Sequence, residues 1–179
     1  RVGDVAKGAA LMTGTKVSYR TVSAYADLLS IPAMEKVMME AMQEAEKPEY
    51  TEEDYAYAAQ FAADENSPSI DTDILPADQT INLGSTDVGD VSWQVPTGLI
   101  GVATEATGCA LHTWQIVAQG KSPLAHKGMH YAARILFAAA KKLYESPERC
   151  ALIQDDYQNV IGHRTYQSML PDSVKPGDF

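Results

Sequence analysis

The longest sustained signal in this chain is helical. Met129, Ala132, Ala133, Leu136, Phe137, Ala140, Leu143 and Tyr144 recur at i, i+3, i+4 and i+7 spacings. A period near 3.6 held that long commits about 127–145 to an amphipathic helix. A helix with an apolar stripe must bury it against another element, so this segment needs a partner layer.

Other segments supply candidate partners. Val2, Val5, Ala6, Ala9 and Ala10 repeat the helical spacing, and Gly14 stands where a left-handed C′ residue would close residues 1–14. Ser30 and Pro32 mark a second helix start, followed by the apolar positions Met34, Val37, Met38, Ala41 and Met42. Thr51 opens a third helix, with Asp54 at the reciprocal capping position. A shorter helical stretch follows Pro147. Two segments read as strands instead. In Thr15 to Tyr25, Val17, Tyr19, Thr21, Ser23 and Tyr25 share one face. Leu99 to Ala103 is a short apolar run of the kind buried on both faces of a parallel sheet. Residues 64–80 read as a surface loop or insertion, and the tail from Leu170 as an extended surface segment. Helices alternating with strands give an α/β fold class. The amphipathic first strand and the buried second one belong to different sheets, hence to two domains.

Composition closes off several functions. The formal net charge is −10, which repels phosphate backbones, so no nucleic-acid partner is expected. No apolar run approaches the ~20 residues that span a bilayer, so no membrane association is expected. The two cysteines, Cys109 and Cys150, are too few for a disulfide framework, and a reduced cytoplasmic setting is the default. The sequence opens at Arg1 directly on apolar helical spacing, without an initiator Met. It reads as a chain cut out of something longer.

Residues 84–130 hold most of the chemistry-bearing side chains. The segment Gly84-Ser85-Thr86-Asp87-Val88-Gly89-Asp90-Val91-Ser92-Trp93 reads as a polar glycine-bearing loop, for which Asx-type capping is the plainer explanation. His112 lies after the apolar run 99–103, where α/β sheets place their ligands. A lone His is more often structural or exposed than metal-bound. Cys109 sits three residues earlier, but no second pair exists to complete a four-ligand site, so it reads as a small buried residue. His126 and His130 share a helix face, yet Lys127 occupies the place of the Glu in His-Glu-x-x-His. The plainer reading of His130 is a polar helix start packed against the loop. Glu52-Glu53 and Asp155-Asp156 are adjacent pairs that cannot face each other on a helix and read as solvated.

Three ordered motifs are more specific than any of these residues alone. The segment 84–93, then Leu111-His112-Thr113-Trp114-Gln115, then Ala125-His126-Lys127-Gly128-Met129 resemble signatures of a zinc peptidase and amidohydrolase family. That family includes the aminoacylases, carboxypeptidase G and the indole-acetyl-amino-acid hydrolases; the nearest pattern is the branch of aminobenzoyl-glutamate utilization protein B. Ala6-Lys7-Gly8-Ala9-Ala10-Leu11-Met12-Thr13 is similar to that branch's lid helix, and the resemblance covers roughly 1–145.

The resemblance implies the C-terminal part of a phosphorylase/hydrolase-like metallopeptidase catalytic domain, spanning 27–179, preceded at 1–26 by the end of an α+β lid (dimerisation) domain. It implies His112 as a metal ligand, Gly84, Ser85, Asp87 and Asp90 beside the active site, and His126 and Lys127 behind the ligands or facing substrate. Asp87 or Asp90 would orient the His112 ring. The family's two divalent metals, Zn or Mn, further need a His-x-Asp pair, a bridging Asp and a Glu-Glu that this sequence lacks. Ala26-Asp27-Leu28-Leu29 stands at the hinge where relatives are expected to carry Ser-Asn-Leu. The implied function is a fragment of a dinuclear-metal amidohydrolase that cleaves N-acyl amino acids such as p-aminobenzoyl-glutamate, or dipeptides. Its partners are the missing N-terminal part and, through the lid, a second copy of the enzyme. Alone, the chain is expected to hold at most one metal weakly and to hydrolyse nothing. The alternative is a noncatalytic module that kept the fold for ligand binding or subunit association.

Overall fold

The structure is a computed structural model that describes residues 1–62, 68–76 and 84–175. Among the described residues it consists of seven helices: α1 (Val2–Thr13), α2 (Pro32–Glu44), α3 (Glu52–Ala59), α4 (Val88–Ser92), α5 (Trp114–Gln119), α6 (Pro123–Tyr144) and α7 (Pro147–Ile161). The core lies where α2, α6 and α7 meet. Leu29, Ile31, Val37, Met38, Ala41, Ile135, Ala139, Ile153 and Tyr157 are buried together there. A large apolar side chain contributes roughly 1.5–3 kcal/mol when fully buried, so this cluster holds the three helices as one body. A second cluster of Ala58, Ile70, Ala106 and Leu124 joins α3 to the start of α6.

Local chemistry accounts for the helix ends. Gly14 adopts φ 66°, the left-handed conformation foreseen for it, and its neighbour Thr15 donates N–H to the Ala10 carbonyl at 2.9 Å. Thr51 and Asp54 form the capping box read from the sequence. Ser122, with Pro123 behind it, caps α6 four residues ahead of the start that periodicity predicts. Ser30 is not the α2 cap: the N-cap is Ile31, and the Ser30 hydroxyl donates to Glu35. The orphan N–H of Ala33 is instead satisfied by Asp156 of α7, at 2.8 Å. Asp156 is therefore not a solvated face but a cap supplied across the helix pair. Arg149 Nη1 meets Glu40 at 2.6 Å and ties α7 to α2 a second time. Its hydrogen bond holds the Glu40 carboxyl below the usual range.

Two expectations are revised. α6 buries a different face from the stripe that announces it. Leu124, Ala125, Gly128, Ile135 and Ala139 point inward, while Phe137 is 73% and Tyr144 91% exposed. The helix is apolar on two sides, and periodicity does not say which side the core takes. The two expected strands have no ladder among the described residues: 15–25 and 99–103 carry no regular secondary structure there. Residues 99–102 still show a strand's alternation. Ile100 and Val102 pack onto the core, and Leu99 and Gly101 face outward. One face is covered, not both. Part of the expected 64–80 loop lies outside the described residues, but Ile70 is buried in the second cluster.

Candidate functional site

The candidate residues fall into separate groups. The first is built on α4. Gly89 packs so close to the 26–27 backbone that a Cβ there would lie 1.9 Å from the Ala26 carbonyl oxygen, so only glycine fits. Asp90 accepts the Ala26 N–H at 3.3 Å and the Tyr166 hydroxyl at 2.8 Å. That second bond pushes the Tyr166 phenol above its usual range. Trp93 donates its indole N–H to Asp27 O at 3.0 Å, and Arg164 stacks over its ring at 4.9 Å. Asp90 therefore clasps the backbone at Ala26 to Tyr166 of the C-terminal segment and has no bond to His112. Gly84, Ser85 and Asp87 are exposed on the approach to this clasp.

Ser92 is the buried pin of the group. It is fully buried, accepts Leu29 N–H at 3.0 Å and donates to Gly89 O at 2.6 Å. Ser92→Ala leaves the Leu29 amide without a partner in a dry site, and a stability loss of about 2 kcal/mol is expected. Urea unfolding followed by circular dichroism measures it; a change within error would show that another group satisfies that amide.

The second group is the 105–119 loop. Gln119 of α5 is fully buried and organises it. Its Oε1 accepts Ala106 N–H at 2.7 Å, and its Nε2 reaches Gln115 O at 3.1 Å and Cys109 Sγ at 3.5 Å. Cys109 is thus half-buried and hydrogen-bonded rather than a plain core residue. Thr113 donates to Ala110 O at 2.7 Å. From α3, Tyr57 donates to Ala118 O at 3.2 Å; just past the helix, Phe61 meets the Trp114 ring at 6.3 Å. Above this scaffold His112 is exposed, with φ 59°, the one non-glycine positive φ among the described residues. Histidine tolerates that conformation better than most residues, at a cost of roughly 1 kcal/mol.

The third group lies on the first two turns of α6. Lys127 does not face an open site: its ammonium pairs with Asp54 and lies 5.7 Å from the centroid of the Tyr50 ring. Asp54 is 5% exposed. Burial alone would raise its carboxyl, but the Lys127 hydrogen bond and the two bonds from Thr51 outweigh it and lower it. His126 and His130 are both exposed, so His130 is not packed against the loop.

Sequence reasoning misses Gln119, Ser92 and the Asp54–Lys127 pair. Gln119 is one of two glutamines, with Gln115, on a short and otherwise apolar helix, and that is the available signal for it. The other two act across tens of residues, and no local pattern announces them. Among the described residues no three His, Cys, Asp or Glu side chains gather closely enough to hold a metal ion. His112 is a single donor, and the described residues do not by themselves fit a two-metal centre. No helix of the described residues is long and apolar enough to cross a membrane.

Comparison with known proteins adds what geometry does not. No family model matches the chain, and no solved structure does. The chain is similar to the B subunit of the p-aminobenzoyl-glutamate hydrolase of Escherichia coli (strain K12), with 31% identity over 205 residues. That alignment takes in 98% of this chain but 43% of the relative, so the chain spans less than half of that protein's length.

Proposed function

We propose that this chain works as part of a metal-dependent amidohydrolase that cleaves N-acyl amino acids of the p-aminobenzoyl-glutamate kind. The observation that carries the reading is the 31% identity with a p-aminobenzoyl-glutamate hydrolase subunit along 98% of the chain. In this reading residues 1–26 end a lid and 27–179 belong to an α/β catalytic domain. His112 is one ligand of a site whose other ligands come from outside this chain, and no catalytic step is assigned to the chain alone.

Two features support a role within something larger. Val2, Leu11 and Met12 on α1, and Leu136, Phe137 and Tyr144 on α6, leave apolar side chains in water. An interaction face of a larger protein would cover such side chains. His112 is exposed on a rigidly braced loop, where a ligand presented to a neighbouring body would stand.

A chimera tests the proposal: the E. coli subunit with this chain in place of the matched stretch, assayed for release of glutamate from p-aminobenzoyl-glutamate. The chimera is expected to hydrolyse it, the isolated chain to be inactive, and the chimera carrying His112→Asn to lose activity. Asn is chosen because it tolerates the left-handed backbone. A folded chimera without activity, beside an active parent, overturns the proposal. So does an active His112→Asn chimera.

A further inference from the structure

The chain leaves α7 through Gly162, which takes φ 60°, and the residues that follow return to α4. Two side chains make that contact. Arg164 uses its guanidinium twice: Nε and Nη2 donate to the Ile161 and Val160 carbonyls at the end of α7, and the group lies over the Trp93 ring. A planar fork can bond at its edge and stack on its face together, so residue 164 is anchored to α7 and to Trp93 at once. Tyr166 donates its hydroxyl to Asp90. Each contact continues one step further. The Trp93 indole N–H is donated to the Asp27 carbonyl, and Asp90 accepts the Ala26 amide on the same Oδ1 that Tyr166 engages. Two relays thus run in parallel from the end of α7, across α4, to the backbone at 26–27. Ahead of that backbone the chain is lightly held: α1 buries no side chain, and residues 15–20 are exposed throughout.

We propose that residues 162–166 form a strap that fixes how residues 1–26 leave the helical body, with Tyr166 and Arg164 as positioning residues for the lid. The lid role rests on the reading above, in which 1–26 ends that lid. Asp90 holds the Ala26 amide in one place because Tyr166 holds Asp90; a carboxylate with one partner fewer has other rotamers open to it. A loosened junction populates the substrate-ready placement of the lid less often, and apparent affinity falls by that fraction. The strap therefore acts on KM. A variant that merely folds less well lowers kcat per mole of protein and leaves KM where it was.

Tyr166→Phe tests the first relay, because it removes only a hydroxyl from a half-buried ring. In the isolated chain, exchange of the Ala26 amide followed by NMR is expected to quicken roughly tenfold, while amides around Ile135 in the core keep their rates. Arg164→Gln tests the second relay. The two tryptophans give two indole N–H signals, and that of Trp93 is expected to exchange faster while that of Trp114 stays unaltered. Asp90→Asn is the conservative control: its amide oxygen still accepts both bonds, so Ala26 should remain protected. Unchanged exchange at Ala26 in Tyr166→Phe, or at Trp93 in Arg164→Gln, overturns the strap. In the chimera described above, Tyr166→Phe is expected to raise KM for p-aminobenzoyl-glutamate roughly threefold with kcat unchanged. Unaltered kinetics overturn the positioning role, and so does a lowered kcat at constant KM. A parent chimera that hydrolyses nothing would sink the hydrolase reading instead, and exchange at Ala26 would still decide for or against the strap.

Discussion

Gly128→Ala is expected to destabilise the chain by about 3 kcal/mol or more, the reverse of what helix propensity would give. Alanine in a helix interior is favoured over glycine by roughly 1 kcal/mol. Against that stands a backbone crossing. A Cβ at 128 would lie 2.1 Å from the Ala103 carbonyl oxygen and 2.9 Å from Thr104 Cγ2. The first obstacle is main chain, so no rotamer change relieves it. Either α6 or the 103–104 backbone must retreat, and overpacking of this kind costs typically ~1–3 kcal/mol even where side chains can yield. Leu124 and Ile135, both fully buried one and two turns away on the same helix, would lose contact as it moved. Urea unfolding followed by far-ultraviolet circular dichroism measures the loss. Gly8→Ala is the control: it sits in α1, where a Cβ meets nothing within 4 Å, so propensity should act alone and helicity should rise. Equal effects at 8 and 128 would refute the crossing.

The contrast between Gly8 and Gly128 shows what is legible in the chain and what is not. Helices close their hydrogen bonds within a segment, so spacing and caps disclose α1, α2, α3, α6 and α7 to within a few residues. Gly14 and the Thr51–Asp54 box can be read because their partners are a few residues away. The short helix α4 reads as a loop and α5 goes unread, since five or six residues carry too little periodicity to register. Strands are defined by another segment. The alternation at 99–102 reveals a face but not a neighbour. The same limit applies to the site. His112 is identifiable as a candidate, and its left-handed backbone is not. Asp87 or Asp90 is expected to orient His112, and Asp90 is engaged by Ala26 and Tyr166, groups 64 and 76 residues distant in sequence.

These long-range bonds share one design: a polar side chain on one element satisfies the backbone or charge of another. Ser92 does so for Leu29, Gln119 for Ala106 and Asp156 for Ala33. Such groups contribute modestly while paired and cost heavily when orphaned. They hold the backbone at Leu29, the 105–112 loop and the start of α2 in fixed relation to the core. The His112 loop is therefore set by buried bonds rather than by surface contacts.

The most exacting of these pairings is Asp54 with Lys127, and Lys127→Met should cost about 3 kcal/mol at neutral pH. Removing one member of a buried pair leaves an uncompensated charge, for which ~3–5 kcal/mol is typical. The lower end applies because Lys127 keeps 30% of its side chain in water while Asp54 keeps 5%. Methionine retains the stem against Tyr50 and removes only the charge. The pH dependence follows from the lowered carboxyl. A group whose folded pKa lies below its unfolded value, about 3.9 for Asp, adds stability above that value and loses it as pH falls through the folded one. In the variant the burial that raises Asp54 is opposed only by Thr51, so its folded pKa should rise and its contribution change sign. The gap between parent and variant should then be widest at neutral pH and narrow below pH ~4, where a protonated Asp54 no longer needs the ammonium. Asp54→Asn combined with Lys127→Met should recover part of the loss, because no charge is then left stranded. Urea unfolding of the parent, both single variants and the double variant at neutral and at acid pH tests each step. A gap independent of pH would mean that Lys127 supports this corner through packing alone.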